Sequence, residues 1–312
     1  MRVVLMIEGQ EGVSWDDWLA LARACEEYGL EGLFRSDHYQ SIPGIPGRAA
    51  LDAWATISGL AAVTERIRLG TMVSPATFRR PSILARMVTT ADHISGGRVE
   101  LGLGAGWNES EHKASGFPFP DLPERMEILE EQLEIVHRQW TEDEFSFEGR
   151  HYRLERSRAE PKPLQKPHPP LIVGGAGGPR AARLAARWAD EYNTSFATVE
   201  QCRERSARVA EACRRAGREP IVFSAMLRCC VGRDARETLT RAARQVERMG
   251  SHDDPAVLLA REDMVVGEID EVIARLRAYA AAGVERVFLQ HIDFADLEMV
   301  RLIAEEIVPA VA

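Results

Sequence analysis

Eight short apolar runs, each followed by a stretch of helical periodicity, fill this chain and constrain its fold more than any single motif. The runs are Val3–Ile7, Gly32–Arg35, Ile67–Val73, Val99–Gly104, Leu171–Val173, Glu191–Ser195, Ile221–Val231 and Val287–Gln290. Between them lie amphipathic segments such as Trp15–Tyr28, Ser82–Ile94, Glu124–Trp140 and Val199–Ala216. Punctuation agrees with this reading: Ser14 precedes the first helix as an N-cap and Gly29 follows it as a stop. Strands buried on both faces and alternating with helices require a parallel sheet covered by those helices. An open, doubly wound sheet would carry Gly-x-Gly-x-x-Gly after its first strand, whereas here the turn reads Glu8-Gly9-Gln10-Glu11-Gly12. The expected fold is therefore α/β, a closed (β/α)₈ TIM barrel. It forms one domain over residues 1–312, with insertions after the fourth and seventh strands, and 312 residues is an ordinary length for such a barrel.

Composition removes several functions. A net charge of −9 argues against nucleic acid, where a basic face would supply most of the affinity, and no segment has the length of a membrane span. The start, MRVVLMIEGQ, reads as a buried strand and lacks the pattern of a secretory leader. Cys25, Cys202, Cys213, Cys229 and Cys230 show no Cys-x-x-Cys spacing, so reduced, buried thiols in a cytoplasmic protein are expected. Lys113, Lys162 and Lys166 are the only lysines and none falls in a strand, which disfavours a Schiff-base aldolase. Neither His-Glu-x-x-His nor Gly-x-Ser-x-Gly occurs, and no metal site is expected.

Barrel chemistry sits at the C-terminal ends of strands, so the residues just after each run carry the functional signal. Asp37 and His38 follow the second strand, and an imidazole fixed there by a neighbour can orient a ligand or move a proton. Gly174–Gly178, followed by Pro179 at a helix start, suits a phosphate group; a tight strand-to-helix turn is the plainer alternative. Gly102, Gly104 and Gly106 fit either a backbone that clears a planar ring or small residues needed for packing. The segment from Ala105 to Pro123 reads as a loop, with His112 on it, and His291 ends the last strand. Both histidines are candidates for the substrate side.

Taken in order, several of these segments resemble the luciferase-like monooxygenase superfamily, and within it the oxidoreductases dependent on the deazaflavin coenzyme F420. The segments are Ser36-Asp37-His38, Ile67-Arg68-Leu69-Gly70-Thr71, Arg80-Pro81-Ser82-Ile83-Leu84-Ala85, Asp92-His93-Ile94-Ser95-Gly96-Gly97-Arg98, Gly102-Leu103-Gly104-Ala105-Gly106-Trp107, Ala159-Glu160-Pro161-Lys162-Pro163-Leu164-Gln165 and Gly174-Gly175-Ala176-Gly177. The resemblance implies a flavin or deazaflavin ring in the barrel mouth, backed by a bulge at Met72 and Val73 with a cis peptide between them. It also implies that Asp37 and His38 meet the ring edge and that Gly174, Gly175, Ala176 and Gly177 hold the phosphate. Ala105, Gly106 and Trp107 would line the ribityl or substrate side, with His38 as the catalytic residue. In the family's sugar-phosphate dehydrogenases a tryptophan stands four residues after the histidine. Ile42 occupies that place here, and Ile42, Phe78 and Trp107 suit an apolar or aromatic substrate.

The implied activity is hydride transfer between F420 and a small organic molecule. A two-component monooxygenase using FMNH2 and oxygen is the nearest alternative, and a flavin- or deazaflavin-binding protein without turnover is the alternative of another class. A homodimer and a flavin or F420 reductase are the partners such an enzyme would have.

Overall fold

The computed structural model describes residues 1–312 and is a closed barrel. Its strands are β1 (Arg2–Ile7), β2 (Gly32–Arg35), β3 (Arg68–Thr71), β4 (Val99–Gly104), β5 (Leu171–Gly174), β6 (Glu191–Ser195), β7 (Val222–Gly232) and β8 (Arg286–Gln290). All neighbours are parallel, and β8 closes onto β1 through pairs from Arg2 with Arg286 to Met6 with Gln290. The first helix begins and ends as its sequence indicates. Ser14 and Asp17 form a reciprocal capping box, and Gly29 takes a left-handed φ of 85°.

Three features depart from the sequence reading. The run Ile67–Val73 does not continue as one strand: β3 stops at Thr71 and Ser74–Pro75 resumes pairing with β4, while the cis peptide at Met72–Val73 is the one that the resemblance implies. The β7 strand is long enough that its second half leaves the barrel to pair with a further strand, Val265–Glu268. Finally, a helix at Glu109–Ser115 occupies what reads as loop, capped by Asn108 and ended by Gly116 at φ 72°. Seven residues are too few to display a periodicity, although both capping residues were visible.

The barrel interior is layered. At the bottom, Arg286 is 1% exposed and pairs with Glu100 at 2.7 Å and Glu191 at 3.1 Å, while Arg68 also binds Glu100. Burial would raise the Glu100 carboxyl, but the charges of Arg286 and Arg68 outweigh it and hold Glu100 below the usual range. Above this plug Val4, Met6, Phe34, Met72, Ile172, Met226 and Phe288 form an apolar cluster, with Phe34 edge-on to Phe288 at 5.0 Å. The larger core lies outside the strands, under the helices. The vicinal cysteines divide as strand alternation requires, Cys229 into that core and Cys230 into a small cluster beneath the side strand.

The break after β3 determines residue choice on two other strands. The Val73 side chain rests against β4 and β5, where a Cβ added to Gly102, Gly104 or Gly174 would approach a Val73 methyl to 2.9, 2.8 and 2.9 Å. At Gly102 the same atom would also lie 2.2 Å from the Thr71 carbonyl oxygen, a backbone contact that cannot swing aside. Gly102→Ala should therefore destabilise the protein by about 1–3 kcal/mol. Urea unfolding would read this directly, and an unchanged midpoint would refute the close contact.

Candidate active site

The barrel mouth is organised by three buried carboxylates, each holding a loop or a side chain. Glu111 lies on the helix Glu109–Ser115, is fully buried, and accepts at 2.6 Å from His38 Nδ1. Its other oxygen accepts from the backbone N–H groups of Tyr39 and Gln40, which fixes the loop after β2. His38 thus has one ring nitrogen committed and its Nε2 free of any protein partner, with the Trp107 ring set edge-on at 5.7 Å. Burial opposes the imidazolium, but the hydrogen bond and charge of Glu111, helped by Glu8 and Asp37, prevail and raise His38 above its ordinary 6.5.

Asp37 faces away from the mouth. Its carboxylate accepts from Ser74 Oγ at 2.6 Å and from Arg79 at 2.5 and 3.2 Å, and the residue is fully buried. Arg79 continues to Tyr39 and Asp52, each at 2.7 Å, so the ends of β2 and β3 are tied through one guanidinium. Glu11, after β1, is the third carboxylate. It accepts from the Ile42 N–H at 2.7 Å, from Ser41 Oγ at 2.8 Å and from Arg48, which in turn reaches the Arg248 carbonyl. The loop that carries Ile42 is thereby anchored to both β1 and the segment after β7.

Other anticipated residues separate into distinct places. Trp107 is 62% exposed at the rim, beside Ala105 and Gly106. Phe78 is buried, stacked on Phe117 at 4.7 Å and on Tyr39 at 5.5 Å. His112 is buried against it, with Nδ1 on the Asn108 carbonyl and Nε2 on Thr77 Oγ1, both at 2.6 Å. With both nitrogens engaged, His112 braces the rim. His291 is fully buried behind β8, where burial lowers its imidazole to about 4. The glycine-rich turn is partly committed: Gly175 N–H bonds the Asn193 carbonyl and Gly177 N–H bonds Tyr192 Oη at 2.7 Å. The N–H groups of Ala176, Gly178, Arg180 and Ala181 have no acceptor, and the helix opening at Pro179 has no side-chain cap.

Sequence reasoning missed Glu111, Glu11, Arg79 and a polar chain across the mouth, in which Gln290 donates to Glu8 and Arg228 donates to Gln290. Glu111 carried one usable signal, its place at the third position after the N-cap Asn108. The others lie far from their partners in sequence and left none.

Against this geometry, residues 2–286 match the luciferase-like monooxygenase family. The chain belongs to that family. Among its curated relatives is an FMNH2-dependent dimethylsulfone monooxygenase of Pseudomonas putida, 37% identical over 61% of this chain and 52% of that one. Another is an F420-dependent glucose-6-phosphate dehydrogenase of Nakamurella multipartita, 35% identical over 56% of this chain and 50% of that one. The chain thus spans about half the length of these two relatives. Among solved structures, a monooxygenase from Streptomyces bottropensis superposes with TM-score 0.86 at 24% identity over the full length of both chains. An F420-dependent secondary alcohol dehydrogenase gives TM-score 0.83 at 21% identity, covering 100% of this chain and 99% of that one. The family therefore includes relatives that use F420 and relatives that use reduced flavin, on the barrel seen here. No helix is long and apolar enough to cross a membrane.

Two outcomes test this luciferase-like site. Because folding raises the His38 value, the stability due to its pairing with Glu111 is full below about pH 6.5 and disappears as pH rises through the folded value. Glu111→Gln should lower the His38 titration, followed by NMR, since burial is then opposed only by the charges of Glu8 and Asp37. An unmoved titration would exclude the pairing. Glu11→Ala should speed proteolysis of residues 41–48 several-fold while the barrel core keeps its hydrogen-exchange protection. Equal cleavage rates would mean that the loop is held by other contacts.

Proposed function

We propose that this chain is an F420-dependent oxidoreductase acting on a small organic substrate of apolar or aromatic character. The observation that carries the reading is His38: raised in pKa by Glu111, and with Nε2 left free at the barrel mouth. The residues present fit a deazaflavin. Four unpaired N–H groups at Ala176, Gly178, Arg180 and Ala181 suit a phosphate, with Gly174, Gly175 and Gly177 keeping the turn close. Met72 and Val73 supply an apolar surface behind the ring, and Ala105, Gly106 and Trp107 flank it. Asp37 acts through Arg79 and Ser74 as a positioning residue.

When bound, the reduced deazaflavin supplies a hydride. His38 then provides the matching proton from Nε2 to the heteroatom that gains charge on the substrate, while Glu111 holds the ring and stabilises its charged form. Trp107 and Ile42 shield the mouth and offer apolar contact, and Arg228 places one cation at its edge. A reductase that returns the cofactor to its reduced state completes the cycle in this reading.

A second reading keeps the site but uses FMNH2 and oxygen, and the 37% identity to the dimethylsulfone monooxygenase favours it. Titration of the protein with F420 and with FMN, followed by tryptophan quenching, separates the two. F420 should bind, and His38→Ala should weaken it by about 10- to 100-fold. Gly175→Val should weaken it too, since even a Cβ there lies 2.9 Å from Tyr192 Oη. Binding of FMN alone would move the assignment to the monooxygenase, and binding of neither would end the redox reading. Tight binding without turnover of any acceptor would leave a cofactor-binding protein.

A further inference from the structure

Outside the barrel mouth, the most unusual surface is a groove of about 760 Å³ between the helices Pro179–Trp188 and Val199–Arg215. Its walls carry Arg183, Arg187, Arg208, Arg215 and Arg218 against a single acid, Glu211. In a chain of net charge −9 this is a marked local excess of positive charge. Part of the excess is answered within the protein: Arg215 pairs with Glu211, Arg187 with Glu134 and Arg218 with Asp190. Arg183 and Arg208 have no carboxylate partner. Small residues, Ala182, Ala186 and Ala212, form the floor, so the guanidinium groups stand around an open channel.

The groove adjoins the glycine-rich turn. Pro179, which opens the helix directly after Gly178, also lines the groove, and Arg208 donates to the Gly177 carbonyl at 2.5 Å. An anion held by the free N–H groups of the turn would therefore have its distal end beside this channel. FMN ends at its phosphate. The deazaflavin cofactor continues from its phosphate, through lactate, into a chain of γ-linked glutamates with one free carboxylate per link.

We propose that this arginine groove receives the oligoglutamate tail of the deazaflavin cofactor. The proposal rests on the deazaflavin reading of the barrel mouth. Several exposed ion pairs acting along one flexible chain add modestly, so the tail should strengthen binding by about tenfold. The attraction is electrostatic and exposed, so salt of about 1 M, where screening acts over about 3 Å, should abolish most of that gain.

The test compares two probes on the full chain: F420 with its glutamate chain, and the form that ends at the phospholactyl group. Dissociation constants are read from deazaflavin fluorescence for the native protein and for the Arg183→Glu/Arg215→Glu variant. Both substitutions are on exposed helix faces, and thermal unfolding of the variant checks that the fold is kept. The expected result is an advantage of about tenfold for the tailed form in the native protein, lost in the variant, with the tail-less form bound equally by both. If the tail-less form binds but the tail adds nothing, or adds as much in the variant, the groove assignment is overturned and the deazaflavin reading stands. If neither form binds the native protein, the deazaflavin reading is overturned and the groove assignment with it.

Discussion

The contact between Val73 and three glycines is the constraint around which the mouth of this barrel is built. The β3 strand stops at Thr71, and beyond Met72 the chain turns the Val73 side chain onto β4 and β5. Those strands can accept it only by having no Cβ at Gly102, Gly104 and Gly174. Met72 joins the apolar cluster that fills the barrel below. Close packing against Val73 thus accounts for Gly102 and Gly104, one of the two explanations that the sequence leaves open for them.

Charge is used differently at the two ends of the barrel. At the bottom Arg286 and Glu100 are sealed from water, with Arg286 also lying under the faces of Phe34 and Phe288 at 5.0 and 4.8 Å. A pair so placed specifies how the strands meet more than it adds to stability, because removing two ions from water is costly. At the top, the buried carboxylates Glu11, Asp37 and Glu111 each bind a loop or a loop-borne side chain. Flexible segments are thereby held in place by a rigid barrel, which is what a site for a planar cofactor requires.

Histidines show how far position alone can be trusted. His38, His112 and His291 all lie at or near strand ends, yet only His38 keeps a nitrogen free at the mouth. His291 alternates outward from Gln290 and so lies behind the sheet, away from the cavity. His112 is turned onto Thr77 by a short helix whose periodicity is too brief to detect. The identity of a residue marked a candidate; its direction decided the role.

The sequence by itself determined the barrel, the order of its strands, and the cap and stop of its first helix, because these follow from hydrophobic period and local backbone chemistry, and its motifs pointed to the family by resemblance. It also marked His38 and the turn at Gly174–Gly177, since both directly follow strands. It could not show that Glu111, 73 positions away, holds His38, or that Arg79 and Asp52 hold the loop after β2. Nor could it show that arginines from two separate helices face one channel beside the glycine turn. Such contacts join residues distant in sequence, and a one-dimensional pattern records what each residue prefers locally. Closure of the sheet, which only the tertiary structure supplies, decides which of those residues meet.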